Sequence, residues 1–190
     1  MANALVELLS QFRNIPQEDE KLLSLAAQHR HYKEGGVLFK GGKICRELFF
    51  ICKGVLRIMV IDNNGNEVTH FFLKENQFCS ILNSFNNRVI ANESILAACD
   101  AEVLAISRAA LDKLYLELPY LNALINQITN QALIDKIAIR NAYLGQDSAR
   151  RYKTFLARQP EIAARVPLSN IASYLEVTPQ SLSRIRKNIR

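Results

Sequence analysis

Short apolar runs broken by turn residues fill the first half of the chain, and apolar positions at helical spacing fill the second. Over residues 17–28, Leu22, Leu23, Leu25, Ala26 and Ala27 follow Pro16 and the acidic cluster Glu18, Asp19 and Glu20. Acidic side chains favour the positive end of a helix, so an amphipathic helix is predicted there. Over residues 32–106 the runs become short, β-branched and aromatic: VLF between Gly36 and Gly41, LFFICKG closing at Gly54, then VLRIMVI. The last leads into Asp62-Asn63-Asn64-Gly65-Asn66, from which EVTHFFL returns. Asn and Gly tolerate positive φ, which makes this a hairpin turn. Further strands are predicted over residues 77–81, 94–98 and 102–106. Strands this short and this closely spaced favour an antiparallel β-barrel or jelly roll over parallel βαβ units.

Beyond Ser107 the chain turns helical. Ser107 caps a helix to about residue 118, and Pro119 suits the first position of another. In the second helix Leu121, Leu124, Ile125, Ile128, Ala132, Ile139 and Ala142 form one stripe, and Leu133, Ile134, Ile137 and Ala138 form another. A small barrel cannot cover both faces of a helix of about 26 residues. The first stripe, Leu121 to Ile139, is therefore expected to pair with its copy in a homodimer, burial within one chain being the other solution. Gly145-Gln146-Asp147-Ser148 then marks a boundary, dividing the chain into 1–118, 119–145 and 146–190. The fold class is α+β: an antiparallel barrel, a long dimerisation helix and a small all-α unit.

Charge sharpens this division. The 190 residues carry a net charge of +6, yet residues 1–145 hold 15 basic and 15 acidic side chains and residues 146–190 hold 9 and 3. The last quarter is therefore expected to face a polyanion, nucleic acid or an acidic membrane surface, a solvated basic face being the other reading of the charge alone. The N-terminus lacks a signal-peptide pattern and no apolar stretch is long enough for a bilayer, so a cytoplasmic protein without a membrane partner is expected. Cys45, Cys52, Cys79 and Cys99 form no C-x-x-C pair and read as buried thiols. No nucleophile elbow, P-loop or paired-carboxylate signature is present, so no enzyme is expected.

The basic end contains the most specific pattern, VPLSNIASYLEVTPQSLSRIRKNIR. A first helix over 168–175 turns Ile171, Ala172 and Leu175 inward, with Ala172 small enough for a close crossing. Val177 plugs the turn, Thr178 offers an N-cap hydroxyl, Pro179 fits the first helical position, and Leu182 and Ile185 complete the inner face. This is a helix-turn-helix. Gln180 and Arg184, four apart, reach base edges of double-stranded DNA, and Thr178 and Ser181 reach phosphate or bases. Arg186, Lys187 and Arg190 provide charge for the phosphate backbone. Glu176 stands where such turns often have Gly and is expected to point away from DNA.

Barrel, long helix and helix-turn-helix in this order resemble the Crp/Fnr superfamily of bacterial transcription regulators. YKEGGVLFKGGK and ELFFICKGVLRIMV look like the opening strands of its cyclic-nucleotide-binding-like barrel, NGNEVTHFFLKENQF like its central hairpin, and IASYLEVTPQSLSRIRK like its DNA-reading motif. The last is similar to short members that stop just after the recognition helix, so the C-terminal wing of longer members is missing, through dispensability or truncation. The resemblance implies sequence-specific regulation of transcription, with RNA polymerase as a further partner and a ligand in the barrel acting through the dimer helices. Its ligand pocket maps onto Phe78, Cys79, Ser80, Ile81, Arg88 and Asn92. Nucleotide-binding members use F-G-E-(I/L)-A-L followed by R-(S/T)-A. Here the first stretch reads Phe78-Cys79-Ser80-Ile81-Leu82-Asn83 and the Arg-Ser/Thr position falls at Ala91-Asn92. With neither the Glu nor the Arg, a cyclic nucleotide is not expected, and the effector is left open. Arg88, three residues early, is the one replacement cation on offer. The N-terminal cysteine cluster of iron-sulfur members is absent, and His70, the one haem-ligand candidate, is expected to face solvent.

Two other classes compete. His29-Arg30-His31 with Glu34 resembles part of a cupin metal enzyme's ligand set, but a third histidine is missing and the Glu spacing is short. No metal site is assigned, and His29 and His31 are expected to flank the end of the first helix. An interaction module that kept the fold without DNA readout is the other.

Overall fold

The computed structural model describes residues 3–189. Its strands are β1 (Ala27–Tyr32), β2 (Val37–Phe39), β3 (Glu47–Lys53), β4 (Leu56–Ile61), β5 (Glu67–Leu73), β6 (Phe78–Cys79), β7 (Ser94–Ala97) and β8 (Ala101–Ser107). They form two antiparallel four-stranded sheets, ordered β1-β8-β3-β6 and β2-β7-β4-β5. Alternation along β3 and β8 divides the apolar residues between two cores. Phe49, Ile51, Val103 and Ala105 point between the sheets, and Leu48, Phe50, Leu104 and Ile106 point outward beneath helices. The β4–β5 hairpin turns where expected: the Asp62 carboxylate accepts the Asn64 and Asn66 amides at 2.8 Å, bonds that hold its pKa low, and Gly65 takes φ +83°.

The outer core is covered by α1 (Asn3–Ser10), α2 (Gln17–Ala26), α4 (Arg108–Glu117) and the start of α5 (Pro119–Asn141). Ser107 caps α4 by accepting the Ala110 amide at 3.2 Å. A short α3 (Leu82–Asn87) follows β6. The sequence pattern did not predict α1 or α3, which at eight and six residues span only about two turns, too short a window to establish a period. It also ran the second helix too far. Residues 27–32 pair with β8, so His29 and His31 lie on a strand and do not flank a helix end.

The long helix requires a second correction. Leu121, Leu124 and Ile125 are buried in the chain's own outer core, with Ile128 packed against it, and Ala132 and Ile139 line a cleft against the barrel. The first part of this stripe, expected to meet a second subunit, is thus buried within one chain, while Ile128, Ala132 and Ile139 stay partly exposed. The other stripe stays largely open, with Ile134 59% and Ile137 50% exposed, while Leu133, 41% exposed, also borders a cavity against the barrel. Two stripes of similar hydrophobicity cannot tell which one the barrel will claim.

After α5 the chain turns through Gly145 at φ +70°, and Asp147 caps α6 (Ser148–Arg158) by accepting the Arg150 amide at 2.8 Å. Then come α7 (Pro160–Arg165), α8 (Leu168–Tyr174) and α9 (Pro179–Ile189). Tyr152, Phe155, Ile162, Ile171, Ala172, Leu175 and Leu182 make their core, which continues into Val55, Phe72 and Ala98 of the barrel. The docking is specific. Strand β5 is a sheet edge, and the Ser173 hydroxyl of α8 accepts the Thr69 amide at 2.8 Å while donating to the Glu67 carbonyl at 2.7 Å. Arg165 pairs with Glu75 at 2.5 Å and Lys74 with Glu161. Burial works to raise the Glu75 carboxyl, but the Arg165 guanidinium and the Gly54 amide hold it below its usual value.

Candidate nucleic-acid interface and ligand cavity

Helices α8 and α9 meet at the turn 175–178. Glu176 adopts φ +56°, the left-handed conformation that the crossing requires, and Val177 donates its amide to the Ala172 carbonyl at 3.0 Å. Gly would serve this position with less strain. Glu176 instead keeps an exposed carboxylate 3.6 Å from Arg140, on the last turn of α5, so the turn is tied to the long helix. Thr178 accepts the Ser181 amide at 3.1 Å and shares a hydroxyl bond with Ser181 at 2.9 Å. That exchange pins the start of α9.

With Leu182 buried, Gln180, Ser181, Arg184 and Lys187 are exposed, and Gln180, Arg184 and Lys187 follow one another at helical spacing along one side. Arg186 is exposed but borders the apolar cleft between Tyr152, Val166 and Ile189, flanking the inner face. Arg190 lies outside the described residues.

A cavity of about 280 Å³ opens between the barrel and α5. Phe78, Ser80 and Ile81 line it together with Ile58, His70, Phe71, Leu73 and Glu93, and α5 closes it with Thr129, Ala132, Leu133 and Lys136. A larger cleft of about 410 Å³ runs from Lys136 toward Arg158 and Tyr174, so Lys136 stands in the wall between the two. Burial pushes the Lys136 ammonium below its usual pKa, and its Nζ lies 5.6 Å from the centre of the Phe71 ring. Ser80 spends its proton on the Glu47 carbonyl at 2.9 Å.

The expected pocket residues only partly converge. Cys79 is buried, and burial pushes its thiol up to about 12. Arg88 sits at φ +57° at the end of α3, exposed, and neither it nor Asn92 lines the cavity. Arg88 therefore does not replace the missing phosphate-binding arginine. His70, expected to face solvent, is half-buried in the cavity wall. Lys136 was missed. Its signal was its place between Ala132 and Ile139 on the inward stripe, where a charged side chain is out of pattern.

Residues 29–117 match the family model of the cyclic nucleotide-binding domain. This stretch of the barrel is similar to a cyclic nucleotide-binding domain. No curated protein matches the chain by sequence. Among solved structures, the c-di-GMP-responsive global regulator CLP of Xanthomonas campestris superposes with a TM-score of 0.71 at 14% identity, over 92% of this chain and 91% of that one. FixK2 from Bradyrhizobium japonicum gives 0.71 at 15%, over 86% and 84%. A proposed Crp/Fnr-family transcriptional regulator from Eubacterium rectale gives 0.65 at 18%, over 92% and 83%. Over these stretches, from the barrel into the C-terminal helices, the chain shares the fold of these structures. The basic side chains in the cavity wall are His70 of the barrel and Lys136 of α5, and neither comes from the phosphate-cassette stretch. No helix among the described residues is long and apolar enough to cross a membrane.

Proposed function

We propose that this chain is a sequence-specific DNA-binding transcription regulator that works as a homodimer, in three parts: a sensor over 1–118, a dimerisation helix over 119–145 and a reader over 146–190. The observation that carries the reading is α9, whose buried Leu182 and hydroxyl-capped start leave Gln180, Arg184 and Lys187 along one exposed side. A helix that offers a bidentate base reader and a phosphate contact from one side suits the major groove. The similar proteins carry names of regulators, which favours this class over an enzyme. The largely open stripe Leu133, Ile134 and Ile137 supports pairing of two long helices, which would set two recognition helices on half-sites roughly 34 Å apart. The effector is a small anion other than a cyclic nucleotide, because Lys136 places one half-buried cation in the cavity, with His70 and Glu93 in the same wall, while the cassette Glu and Arg that grip ribose and cyclic phosphate are missing.

The test is selection of a duplex from a random library, followed by binding measured against salt. Arg184→Ala should weaken the selected site by about 1 to 3 kcal/mol and relax one base position. Lys187→Ala should weaken all sequences alike and lower the salt slope by about one. Failure to select any sequence, or equal affinity of wild type and Arg184→Ala for the selected site, would refute the reading.

A further inference from the structure

We infer that His29, His31 and Glu102 form a site for a divalent transition-metal ion on the outer face of the barrel, separate from the ligand cavity. His29 and His31 alternate along β1 and so share one face of the sheet. Glu102 stands directly across from His31 on β8, which places its carboxylate on that same face. The three potential ligand atoms all lie within 4.8 Å of one another. The two imidazole rings meet edge to face at 4.5 Å, and His29 Nε2 is 3.7 Å from a Glu102 oxygen.

Neighbouring ligands on a tetrahedral zinc ion are about 3.4 Å apart, given bonds of about 2.0 to 2.2 Å. Modest rotations of partly exposed side chains close that gap, and β1 and β8 hold the backbone fixed. Two neutral imidazoles and one carboxylate are the donor set that zinc and its first-row neighbours accept. Among the described residues Glu102 has no ion-pair partner besides His29, although Lys53 stands opposite it on β3. Three protein ligands leave a coordination position for water or an anion. Since β1 is the edge of its sheet and begins directly after α2, the bound ion would clamp that edge to β8. Glu34, the carboxylate nearest in sequence, is not in the cluster; a residue 71 positions beyond His31 takes its place.

Competition of the full-length, tag-free, reduced chain with a chromophoric chelator for zinc tests this. Wild type should take up one zinc per chain. Loss of an outer-shell partner already costs roughly 10- to 100-fold, so loss of a ligand in His31→Ala or in Glu102→Gln should weaken binding beyond about tenfold. Cys52→Ser, which alters the half-buried thiol near Glu102, should leave affinity unchanged. Zinc should also raise the melting temperature of wild type but not of His31→Ala, since only a ligand that prefers the folded state stabilises it. No saturable binding, equal affinity in wild type and His31→Ala, or a loss confined to Cys52→Ser would overturn the assignment. His31 is exposed, so His31→Ala alone decides if Glu102→Gln does not fold.

Discussion

Removing one hydroxyl should loosen the seat of the helix-turn-helix on the barrel. Ser173 bridges the edge of β5 from α8, accepting from Thr69 and donating to Glu67 at 2.8 and 2.7 Å. Sheet edges carry unpaired amides and carbonyls that must be covered or hydrated. Thr69 is only 3% exposed, so its amide has no ready water if the hydroxyl is lost. A buried donor left unpaired costs about 1 to 3 kcal/mol. Glu67 is exposed, and its carbonyl recovers a water partner at little cost. The remaining polar ties are ion pairs at the surface, worth about 0 to 1 kcal/mol each. Ser173→Ala should therefore cost about 2 kcal/mol and shift the balance between docked and released helix-turn-helix by roughly thirtyfold. Hydrogen exchange followed by NMR reads this directly: the Thr69 amide should lose about that factor of protection, while amides of the β3–β8 ladder keep theirs. Unchanged protection at Thr69 in a natively folded Ser173→Ala would refute the idea that this hydroxyl holds the two parts together.

Lys136→Met should keep the cavity's volume while removing the cation, abolishing saturable binding of anionic effectors in calorimetric screening. It should also change the pH dependence of stability. Burial depresses the folded pKa of Lys136 below its reference 10.5, so the unfolded chain binds more protons between those two values. Wild-type stability should gain a contribution as pH rises through that window, and the Met variant should lack it in urea titrations at alkaline pH. Ile134→Asp combined with Ile137→Asp should yield a folded monomer by sedimentation at micromolar concentration, whereas a doubly substituted chain that still dimerises would place the interface elsewhere.

The apolar and β-branched runs of β3 to β5, the Asp62–Asn66 turn and the Ser107 and Thr178 caps are local signals, and each was legible because neighbouring residues decide it. The helix-turn-helix was legible for the same reason, being one helical period interrupted by a turn. Three features were not. Which stripe of α5 the barrel claims depends on how the helix rolls as it leaves Pro119, and the two stripes differ too little in hydrophobicity to announce it. Lys136 joins the cavity only because that roll brings it over Phe71, and Arg88 leaves it because α3 ends in a left-handed turn that sends the chain outward.

The sequence by itself determined most of the local elements, their order and the basic character of the last helix, because secondary structure and net charge follow from residues within a turn or two of each other. The tertiary structure decided which side chains converge from distant segments. His31 with Glu102, Ser173 with the edge of β5 and Lys136 with the barrel are separated by 71, 104 and dozens of residues respectively, and no local period encodes where a jelly roll brings its strands together.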